Sequence, residues 1–414
     1  MYEEIKLPNG VRIVWEKMPA VRSAAVGIWI GAGSRNEKRS ENGAAHFIEH
    51  MLFKGTDRYS AAELADLMDG MGGQVNAYTT REHTCFYARV PDYHFDSVSE
   101  LLAGMLFDSR LDQNDVESER GVVFEEIGMY EDTPEDLVAE RMLALSFKGA
   151  LGRPVLGTES TLSGMTGESL RAFMESNYTG DRIVVALAGN FSDSSVNRLI
   201  GEFSRAKKGR PRRMRAAAYE QSVTVRKKAT EQNQFCLGFP GISTSDDDRF
   251  TMQLMSNILG GGVSSRLFQT VREKYGLCYS VYSFGASFSD TGLFGVGTAV
   301  GRDTEEKALK LIMGELRRFA DDGVTATELD RAREQMKANI LMSLESTTSR
   351  MTRLGGGVLQ LGKCMEPEEV VARYDAVTCG DVRSAAQKIL DFDRMSFSAV
   401  GRVRSAEEYL RILA

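Results

Sequence analysis

The chain contains two halves with the same order of sequence patterns, and this internal duplication constrains its fold more than any other feature. The segment that begins at Leu111, LDQNDVESERGVVFEEI, aligns with the segment that begins at Val324, VTATELDRAREQMKANI. The alignment matches Arg120 with Arg333, so that the offset between positions 120 and 333 is 213 residues. A repeat of this length is far longer than one unit of a solenoid, and it therefore predicts a duplicated domain.

Each half has the same succession of predicted strands and helices. Apolar alternation typical of strands is found at Val11–Trp15, Ala24–Ile30 and Phe235–Phe239. A helix, a short apolar strand and a second helix close each half, at Thr166–Tyr178, Arg182–Ala188 and Ser192–Phe203 and again at Thr378–Leu390, Met395–Val400 and Ala406–Leu413. Alternating strands followed by runs of helices favour an α+β fold, in which each domain has a mostly antiparallel sheet with helices packed on one face.

A basic segment separates the two halves. Residues 204–221 contain Pro and Gly and show no apolar period, which is typical of a linker. We therefore predict a first domain over 1–205, a linker over 206–221 and a second domain over 222–414. A nucleic-acid patch is the alternative interpretation, but aromatic residues for base stacking are not interleaved with the basic ones.

Length and composition restrict the class of protein. A chain of 414 residues with 42% hydrophobic content is larger than one ordinary core and predicts at least two domains. The net charge of -7 gives no reason to expect a nucleic-acid partner. No apolar stretch approaches the roughly 20 residues that span a bilayer, so no membrane association is expected.

The five cysteines are scattered without a CxxC pair, which favours a reducing compartment. Cytoplasmic localisation is therefore predicted, although a chain trimmed of a targeting segment would look the same.

A segment with two histidines is the strongest functional signal. Gly43–Phe53 is predicted to be helical, which places His46 and His50 one turn apart on the same face. Two imidazoles at this spacing can hold one ion, and zinc is the natural choice when carboxylates complete the site. Glu49 can accept a proton from a water at the metal, in the order H-x-x-E-H. A helix that carries two histidines by chance is the alternative, but the whole chain has only four.

A catalytic zinc needs a third protein ligand and one open position. The acidic helix predicted at 115–129 offers Glu119 and Glu126, which are seven residues apart and therefore share a face. Glu126 can then reach the metal while Glu119 supports a ligating histidine. Glu125 points about 100° away from Glu126 by helix geometry. Spacing alone leaves the third ligand undecided, because an acidic helix is often only a solvated face.

The stretch from Gly31 to Thr56, GAGSRNEKRSENGAAHFIEHMLFKGT, resembles the pitrilysin/insulinase family of metallopeptidases, in particular its shorter bacterial members similar to the mitochondrial processing peptidase. In that family the third ligand is a glutamate at the spacing that separates Glu126 from His50, which is 76 residues. The family also has an acidic residue seven positions earlier, where Glu119 stands here. The resemblance therefore implies Glu126 as the third ligand of one Zn²⁺ per chain.

Two further parts of the chain resemble the substrate-binding elements of the same family. The stretch VNAYTTREHT, which begins at Val75, resembles an edge strand to which the substrate adds as an extra strand. Asn76 and Ala77 would then contact the peptide, although an ordinary hairpin strand is the alternative. Phe53, three residues after His50, would line the pocket for the residue after the cut, or it packs in the core.

The second half carries an Arg/Tyr pair. Arg272 and Tyr279, in the sequence REKYGLCY, match a pair at the same spacing in the family. The resemblance implies that Arg272 holds a substrate carbonyl and that Tyr279 donates to the tetrahedral oxyanion. It also implies two homologous domains that form half of a clamshell. Because this chain carries both the metal residues and the Arg/Tyr pair, a homodimer is expected, in which the pair of one subunit serves the zinc of the other.

Together these features predict a zinc-dependent endopeptidase that hydrolyses peptides or unfolded segments inside a dimeric chamber. Two alternatives stay open. The family contains non-catalytic assembly and binding subunits, which usually lack metal residues, and an active chain could require an unlike partner. The sequence does not indicate the physiological substrate or the cleavage preference.

Two glycine runs are not interpreted as ligand sites. Gly260–Gly262 lacks the G-K-[ST] ending of a phosphate loop, and it predicts a flexible turn between helices. Gly355–Gly357 predicts a hinge or the end of a helix.

Overall fold

The computed structural model describes residues 2–209 and 214–414, so positions 210–213 of the predicted linker lie outside the described residues. Its strands are β1 (Glu3–Lys6), β2 (Arg12–Lys17), β3 (Ser23–Ile30), β4 (Gln74–Thr79), β5 (Thr84–Pro91), β6 (Ile183–Gly189), β7 (Val223–Lys227), β8 (Asn233–Gly241), β9 (Cys278–Ser287), β10 (Gly292–Val300) and β11 (Ser396–Gly401).

The α-helices are α1 (Ala44–Met51), α2 (Ala61–Gly70), α3 (Phe95–Phe107), α4 (Gln113–Asp132), α5 (Pro134–Ser146), α6 (Glu159–Leu162), α7 (Gly167–Asn177), α8 (Asp193–Phe203), α9 (Arg249–Gly260), α10 (Glu305–Asp322), α11 (Ala326–Ser343), α12 (Thr347–Leu361), α13 (Pro367–Ala376), α14 (Cys379–Ile389) and α15 (Ala406–Leu413). A π-helical segment covers Phe268–Lys274. None of the helices in the described part of the chain combines the length and apolar character that crossing a membrane requires.

The strands form two sheets of corresponding topology. The first has the order β1-β2-β6-β3-β5-β4, and the second has the order β7-β11-β8-β10-β9. In each sheet one pair is parallel, β2 with β6 and β7 with β11, and the other neighbours are antiparallel. The predicted α+β fold with mostly antiparallel sheets is therefore confirmed, and the predicted closing elements of both halves lie within two residues of their observed bounds.

The chain divides into two compact units that are not contiguous in sequence. The first unit consists of Met1–Ile127, Arg153–Arg215 and Leu341–Glu366, and the second consists of Gly128–Gly152, Ala216–Ile340 and Pro367–Ala414. Each half thus gives one helical segment to the unit built mainly from the other half. The sequence boundaries at 205 and 222 stay a prediction, and the exchange of segments is a feature that the sequence analysis did not anticipate.

The exchanged helix α12 covers one face of the first sheet. Alternate residues of β3 point to opposite faces, and Val26 and Ile28 enter the core beneath α1 and α3, whereas Trp29 packs against Met351 and Leu354 of α12. The first sheet therefore has the predicted helices on one face and, in addition, α12 on the other face. The apolar character of successive residues in β3 is explained by burial on both faces.

Gly355 lies inside α12, so the prediction of a hinge or helix end at Gly355–Gly357 is wrong. A Cβ atom at Gly355 would lie 2.3 Å from ring atoms of Trp29. Glycine is therefore needed for the close approach of the helix to the indole ring rather than for a break in the helix.

The second unit uses its own exchanged helix in the same way. Leu137, Val138 and Met142 of α5 pack against Cys236 of β8 and Leu293 of β10. Both sheets thus have an apolar face that is covered by a helix from the other half of the sequence.

The aligned arginines of the two halves make equivalent contacts. Arg120 donates from Nη2 to the carbonyl oxygen of Met165 at 2.8 Å, and Arg333 donates to the carbonyl oxygen of Val377. Each of these carbonyls directly precedes the threonine that caps a helix, α7 or α14. This correspondence supports the duplication inferred from the sequence.

Candidate metal centre

The two histidines of the H-x-x-E-H segment lie on α1 as predicted. Their ring centroids are 4.6 Å apart with an interplanar angle of 63°. His46 is buried, with 7% of its surface exposed, whereas His50 is half-buried. The spacing of four residues places both rings on the side of α1 that faces α4.

Glu126 completes a cluster with these histidines. Its Oε2 atom is 3.5 Å from Nε2 of His46 and 3.5 Å from Nε2 of His50. The three ligand atoms all lie within 4.8 Å of one another. On α4 the apolar residues Val116 and Val123 are buried, and this fixes the helix so that Glu126 is turned toward α1.

Glu119 orients His50 from one side of the cluster. Its Oε1 atom is 2.8 Å from Nδ1 of His50, and its Oε2 atom is 2.5 Å from Nζ of Lys54. Because a carboxylate only accepts hydrogen bonds, Nδ1 of His50 donates and Nε2 is left for a metal. The structure therefore brings Glu119 to the place that the sequence analysis predicted for it.

The donor set fits zinc. Two imidazole nitrogens and one carboxylate oxygen converge, which is the His₂Glu set found in catalytic zinc sites that keep a position open. Nδ1 of His46 is buried and has no hydrogen-bond partner among the described residues. The other ring nitrogen, Nε2, is the one that faces Glu126 in the cluster. The arrangement provides three protein ligands and no fourth side chain of the ligand type within the described residues.

The surroundings of the cluster shift the pKa values of its three ligand residues in different directions. Burial, together with the charge of His50, lowers the pKa of His46 to about 4, so that its ring is neutral at pH 7. The hydrogen bond with His50 lowers the pKa of Glu126. Burial lowers the pKa of His50, but its hydrogen bonds to Glu126 and Glu119 raise it more, and the net shift is upward. Because a metal binds the deprotonated nitrogen, the upward shift of the His50 pKa makes protons compete with a metal at this ligand.

Glu49 lies on α1 beside His50 but contacts a different element. Its Oε2 atom accepts a hydrogen bond from the hydroxyl of Thr79, the last residue of β4, at 2.5 Å. Burial raises the pKa of Glu49, and the hydrogen bond from Thr79 opposes this shift. A carboxylate that is partly desolvated and oriented in this way is suited to accept and release a proton.

The N-terminus of α1 is held by a buried carboxylate. Glu37 is 4% exposed, and it accepts hydrogen bonds of 2.9 Å from the backbone N–H groups of Gly43 and Ala45 and from Nδ2 of Asn42. Gly43 itself has a φ of 97°, and a Cβ atom there would lie 2.8 Å from the carbonyl oxygen of Leu156. Glu37 and Gly43 therefore set where the histidine-bearing helix begins.

Strand β4 lies at the edge of the first sheet, next to this helix. The N–H of Thr80 donates to the carbonyl of His83 across the hairpin, and amides alternate in direction along an antiparallel strand. The N–H groups of Ala77 and Thr79 therefore point away from β5, and that of Ala77 donates to Oδ1 of Asn76 at 2.8 Å. Asn76 is exposed and Ala77 is half-buried at this open edge.

Phe53 follows α1 and is half-buried against the core of the first unit. Its backbone N–H donates to the carbonyl of His50 at 3.1 Å. A role in lining a substrate pocket stays a prediction.

Arg272 and Tyr279 lie together in the second unit. The guanidinium of Arg272 is 4.6 Å from the ring centroid of Phe268 and 4.8 Å from that of Tyr279. Tyr279 lies in a β-bulge opposite Ala299, because the register shifts between Thr298 and Val300, and 76% of its surface is exposed. A bulge redirects side chains at a sheet edge, and this one presents the phenol to solvent.

Three residues near the cluster were missed by the sequence analysis, namely Glu37, Lys54 and Thr79. Lys54 stands four residues after His50, and this helical spacing could have suggested a cation beside the same acidic helix. The contact between Thr79 and Glu49 joins positions 30 residues apart and had no signal in the sequence. An acidic residue in a segment before a helix could have suggested Glu37 as a cap.

Comparisons with known proteins show which proteins this chain is similar to. The family described as insulinase, peptidase family M16, matches residues 12–159, and the one described as peptidase M16 inactive domain matches residues 164–336. An uncharacterized zinc protease of Bacillus subtilis is 42% identical over 397 residues, which are 95% of this chain and 97% of the relative. An uncharacterized zinc protease of Streptomyces coelicolor is 40% identical over 415 residues, which are 97% of this chain and 90% of the relative.

Solved structures share the fold. A protein from Pseudomonas fluorescens described as a peptidase M16 inactive domain matches with a TM-score of 0.90 at 20% identity, covering 98% of this chain and 99% of that one. A protease from Helicobacter pylori matches with a TM-score of 0.87 at 20% identity, covering 97% of this chain and 99% of that one. At this level of identity the two structures bear on the fold alone.

Proposed function

The chain belongs to the insulinase family, peptidase family M16, as the resemblance from the sequence implied, and we propose that it is a zinc-dependent endopeptidase. The observation that carries the proposal is the convergence of His46, His50 and Glu126, whose ligand atoms lie within 4.8 Å of one another beside Glu49. The description of its relatives as zinc proteases supports the choice of metal.

In this proposal each residue of the site has its own role in peptide hydrolysis. His46, His50 and Glu126 hold one Zn²⁺ per chain, and Glu119 keeps His50 in the ligating orientation. Zinc, when bound, polarises the scissile carbonyl and makes water acidic enough to be deprotonated near neutral pH. Glu49 accepts the proton of the attacking water and passes it to the leaving amine. The upward shift of its pKa suits a group that must hold this proton between the two steps.

The substrate in this proposal is an extended peptide or an unfolded segment. The open edge of β4 offers the N–H group of Thr79, and also that of Ala77 once the peptide replaces Oδ1 of Asn76 as its acceptor, so that a peptide strand can add by main-chain hydrogen bonds. Asn76 and Ala77 contact the peptide there, and Phe53 lines the pocket for the residue after the cut. Most backbone groups of a folded protein are already paired within that protein, so an extended peptide or an unfolded segment fits this edge better.

The Arg/Tyr pair completes the site in a homodimer. Arg272 holds a substrate carbonyl, and the exposed phenol of Tyr279 donates to the oxyanion that forms during attack. We place this pair of one subunit at the zinc of the other, so that two chains enclose a chamber with two sites. The presence of both the metal cluster and the Arg/Tyr pair in one chain supports identical partners.

The five cysteines support a reducing compartment, and we propose the cytoplasm. All five are free thiols in the structure, and three of them are buried. Burial raises the pKa of Cys236 to about 12, which makes this thiol unreactive.

Removal and return of the metal test the proposal. The purified chain is expected to contain zinc and to cleave a quenched library of unfolded peptides, to lose cleavage after chelation and to regain it when zinc is added. A chain that binds no zinc and cleaves no peptide would instead be a non-catalytic subunit. Zinc binding without cleavage, followed by cleavage once an unlike chain is added, would replace the homodimer with a heterodimer.

A further inference from the structure

Thr79 links two parts of the proposed peptidase site that have separate tasks. Its backbone ends β4, the strand whose outer edge is open. Its side-chain oxygen lies 2.5 Å from Oε2 of Glu49 on α1. One residue therefore contributes to the edge to which a peptide would add and contacts the carboxylate that would act as base.

The proton of the Thr79 hydroxyl goes to Glu49. A hydroxyl has one proton to donate, and the other oxygen nearby is Oγ1 of Thr84 at 3.4 Å. Thr84 gives its own proton to the carbonyl oxygen of Ala32 at 3.0 Å and could only accept from Thr79. A carboxylate at 2.5 Å is a stronger and closer acceptor than a hydroxyl at 3.4 Å, so the bond to Glu49 takes the proton.

The backbone of Thr79 is itself firmly held. Thr79 pairs with Thr84 in the register of β4 and β5, and the next residue, Thr80, donates its N–H to the carbonyl of His83 at 2.8 Å. Thr84 is fully buried and pairs with Ile30 on its other side. A hydrogen bond from this rigid strand end can therefore restrict the rotation of the Glu49 carboxylate.

We propose that Thr79 is a positioning residue, which holds the carboxylate of Glu49 in a fixed relation to the substrate edge of β4. This inference rests on the proposed peptidase function, in which Glu49 is the base. Thr79 does not touch the reacting atoms. Its hydroxyl fixes Oε2 of Glu49, so that the carboxylate faces a peptide whose position is set by the outward N–H groups of Ala77 and Thr79.

Two substitutions of almost unchanged size separate this role from a structural one. Thr79→Val keeps the branched shape but removes the donor, and kcat is expected to fall about 10- to 100-fold, the effect of losing one charge-assisted hydrogen bond. KM is expected to change less than about threefold, because the outward backbone groups that bind the peptide are kept. Thr79→Ser keeps the hydroxyl and loses only a methyl group, and it should retain most of the wild-type kcat.

Two further measurements do not depend on activity. Zinc content per chain should be the same in wild type, Thr79→Val and Thr79→Ser, because the hydroxyl of Thr79 donates to Glu49 and not to one of the three ligands. Crystal structures of the metal-free proteins should show the Glu49 carboxylate in its wild-type position in the Ser variant and displaced from it in the Val variant.

The outcomes distinguish this inference from the proposed function. A wild-type kcat in Thr79→Val, or a Glu49 carboxylate that stays in place there, would overturn the positioning role while leaving the peptidase intact. Equal losses of kcat in the Val and Ser variants would also overturn it, since the hydroxyl would then not matter. A wild-type protein with zinc but without any peptidase activity under all conditions would overturn the function on which the inference rests.

Discussion

Nδ1 of His50 donates a hydrogen bond of 2.8 Å to Oε1 of Glu119, and this contact fixes which ring nitrogen can face a metal. The other oxygen of Glu119 lies against Lys54, so the carboxylate is held from both sides. The zinc affinity of the cluster therefore depends on a residue that is not one of its ligands.

Glu119→Ala should weaken zinc binding about 10- to 100-fold, because His50 loses the partner that sets its tautomer and orientation. Competition with a chromophoric chelator measures this affinity directly. Glu117→Ala is the matched control, since Glu117 is exposed on the same helix and contacts Gln113 rather than a histidine. Equal affinities for the two variants would show that Glu119 does not support the ligand.

Glu37 gives the metal-free protein a pH dependence of stability. Burial raises its pKa from 4.5 to about 7, although Asn42, the N–H groups of Ala45 and Gly43, and the charge of Arg153 all oppose this shift. Because the folded state then keeps this proton to a higher pH than the unfolded state, the contribution of Glu37 to stability falls as pH rises from about 4.5 to about 7.

A pKa shift of this extent changes the free energy of unfolding by about 3 kcal/mol across this pH window. Urea unfolding of the metal-free wild type and of Glu37→Gln across the window measures it. The advantage of the wild type over the variant should shrink as pH rises. A difference between the two proteins that is constant with pH would contradict the raised pKa.

Gly355→Ala should destabilise the first unit, because the added methyl group would lie 2.3 Å from the ring of Trp29 and the helix must move away from the sheet. The expected loss is about 1 to 3 kcal/mol. Gly356→Ala is the control on the same helix, since a Cβ atom there meets nothing within 4 Å, and the better helix propensity of alanine should stabilise by up to about 1 kcal/mol. Urea denaturation distinguishes them, and equal effects would contradict the close contact.

Mixing two inactive variants tests whether the Arg/Tyr pair of one subunit serves the zinc of the other. Glu49→Gln and Tyr279→Phe should each lose about 100-fold or more in kcat. When the two chains are unfolded, mixed and refolded together, a shared site has one intact Glu49 and one intact Tyr279 in every mixed dimer. Random pairing should then restore about a quarter of the wild-type activity.

A pair that acts within its own subunit gives the opposite result. In that case no site in the mixture has both residues, and the activity stays at the level of the separate variants. Each variant refolded alone is the control for incomplete refolding, and the mass of the assembly shows whether dimers have formed.

Local periodicity placed the candidate ligands on shared helix faces, but the choice of Glu126 as the third ligand came from the family resemblance and not from spacing. The spacing of His46 and His50 places them on one face of α1, and the spacing of seven residues from Glu119 to Glu126 places both carboxylates toward that helix. These relations depend only on helix geometry, and for that reason they are visible in the sequence.

Relations between distant segments were not predictable in the same way. The contact of Thr79 with Glu49 and the exchange of α5 and α12 between the two units depend on tertiary packing. The interior position of Gly355 was also missed, because a glycine run resembles a helix break unless the nearby ring of Trp29 is known.

Glu49→Gln tests the central claim most directly, through its zinc content and its rate of peptide cleavage compared with wild type. Glutamine keeps the size of the side chain but cannot accept the proton, and Glu49 is not among the three ligands. About one zinc per chain with cleavage reduced by several orders of magnitude is the result that the account predicts. Cleavage at the wild-type rate by the zinc-loaded variant would contradict it, because the base would then be another group.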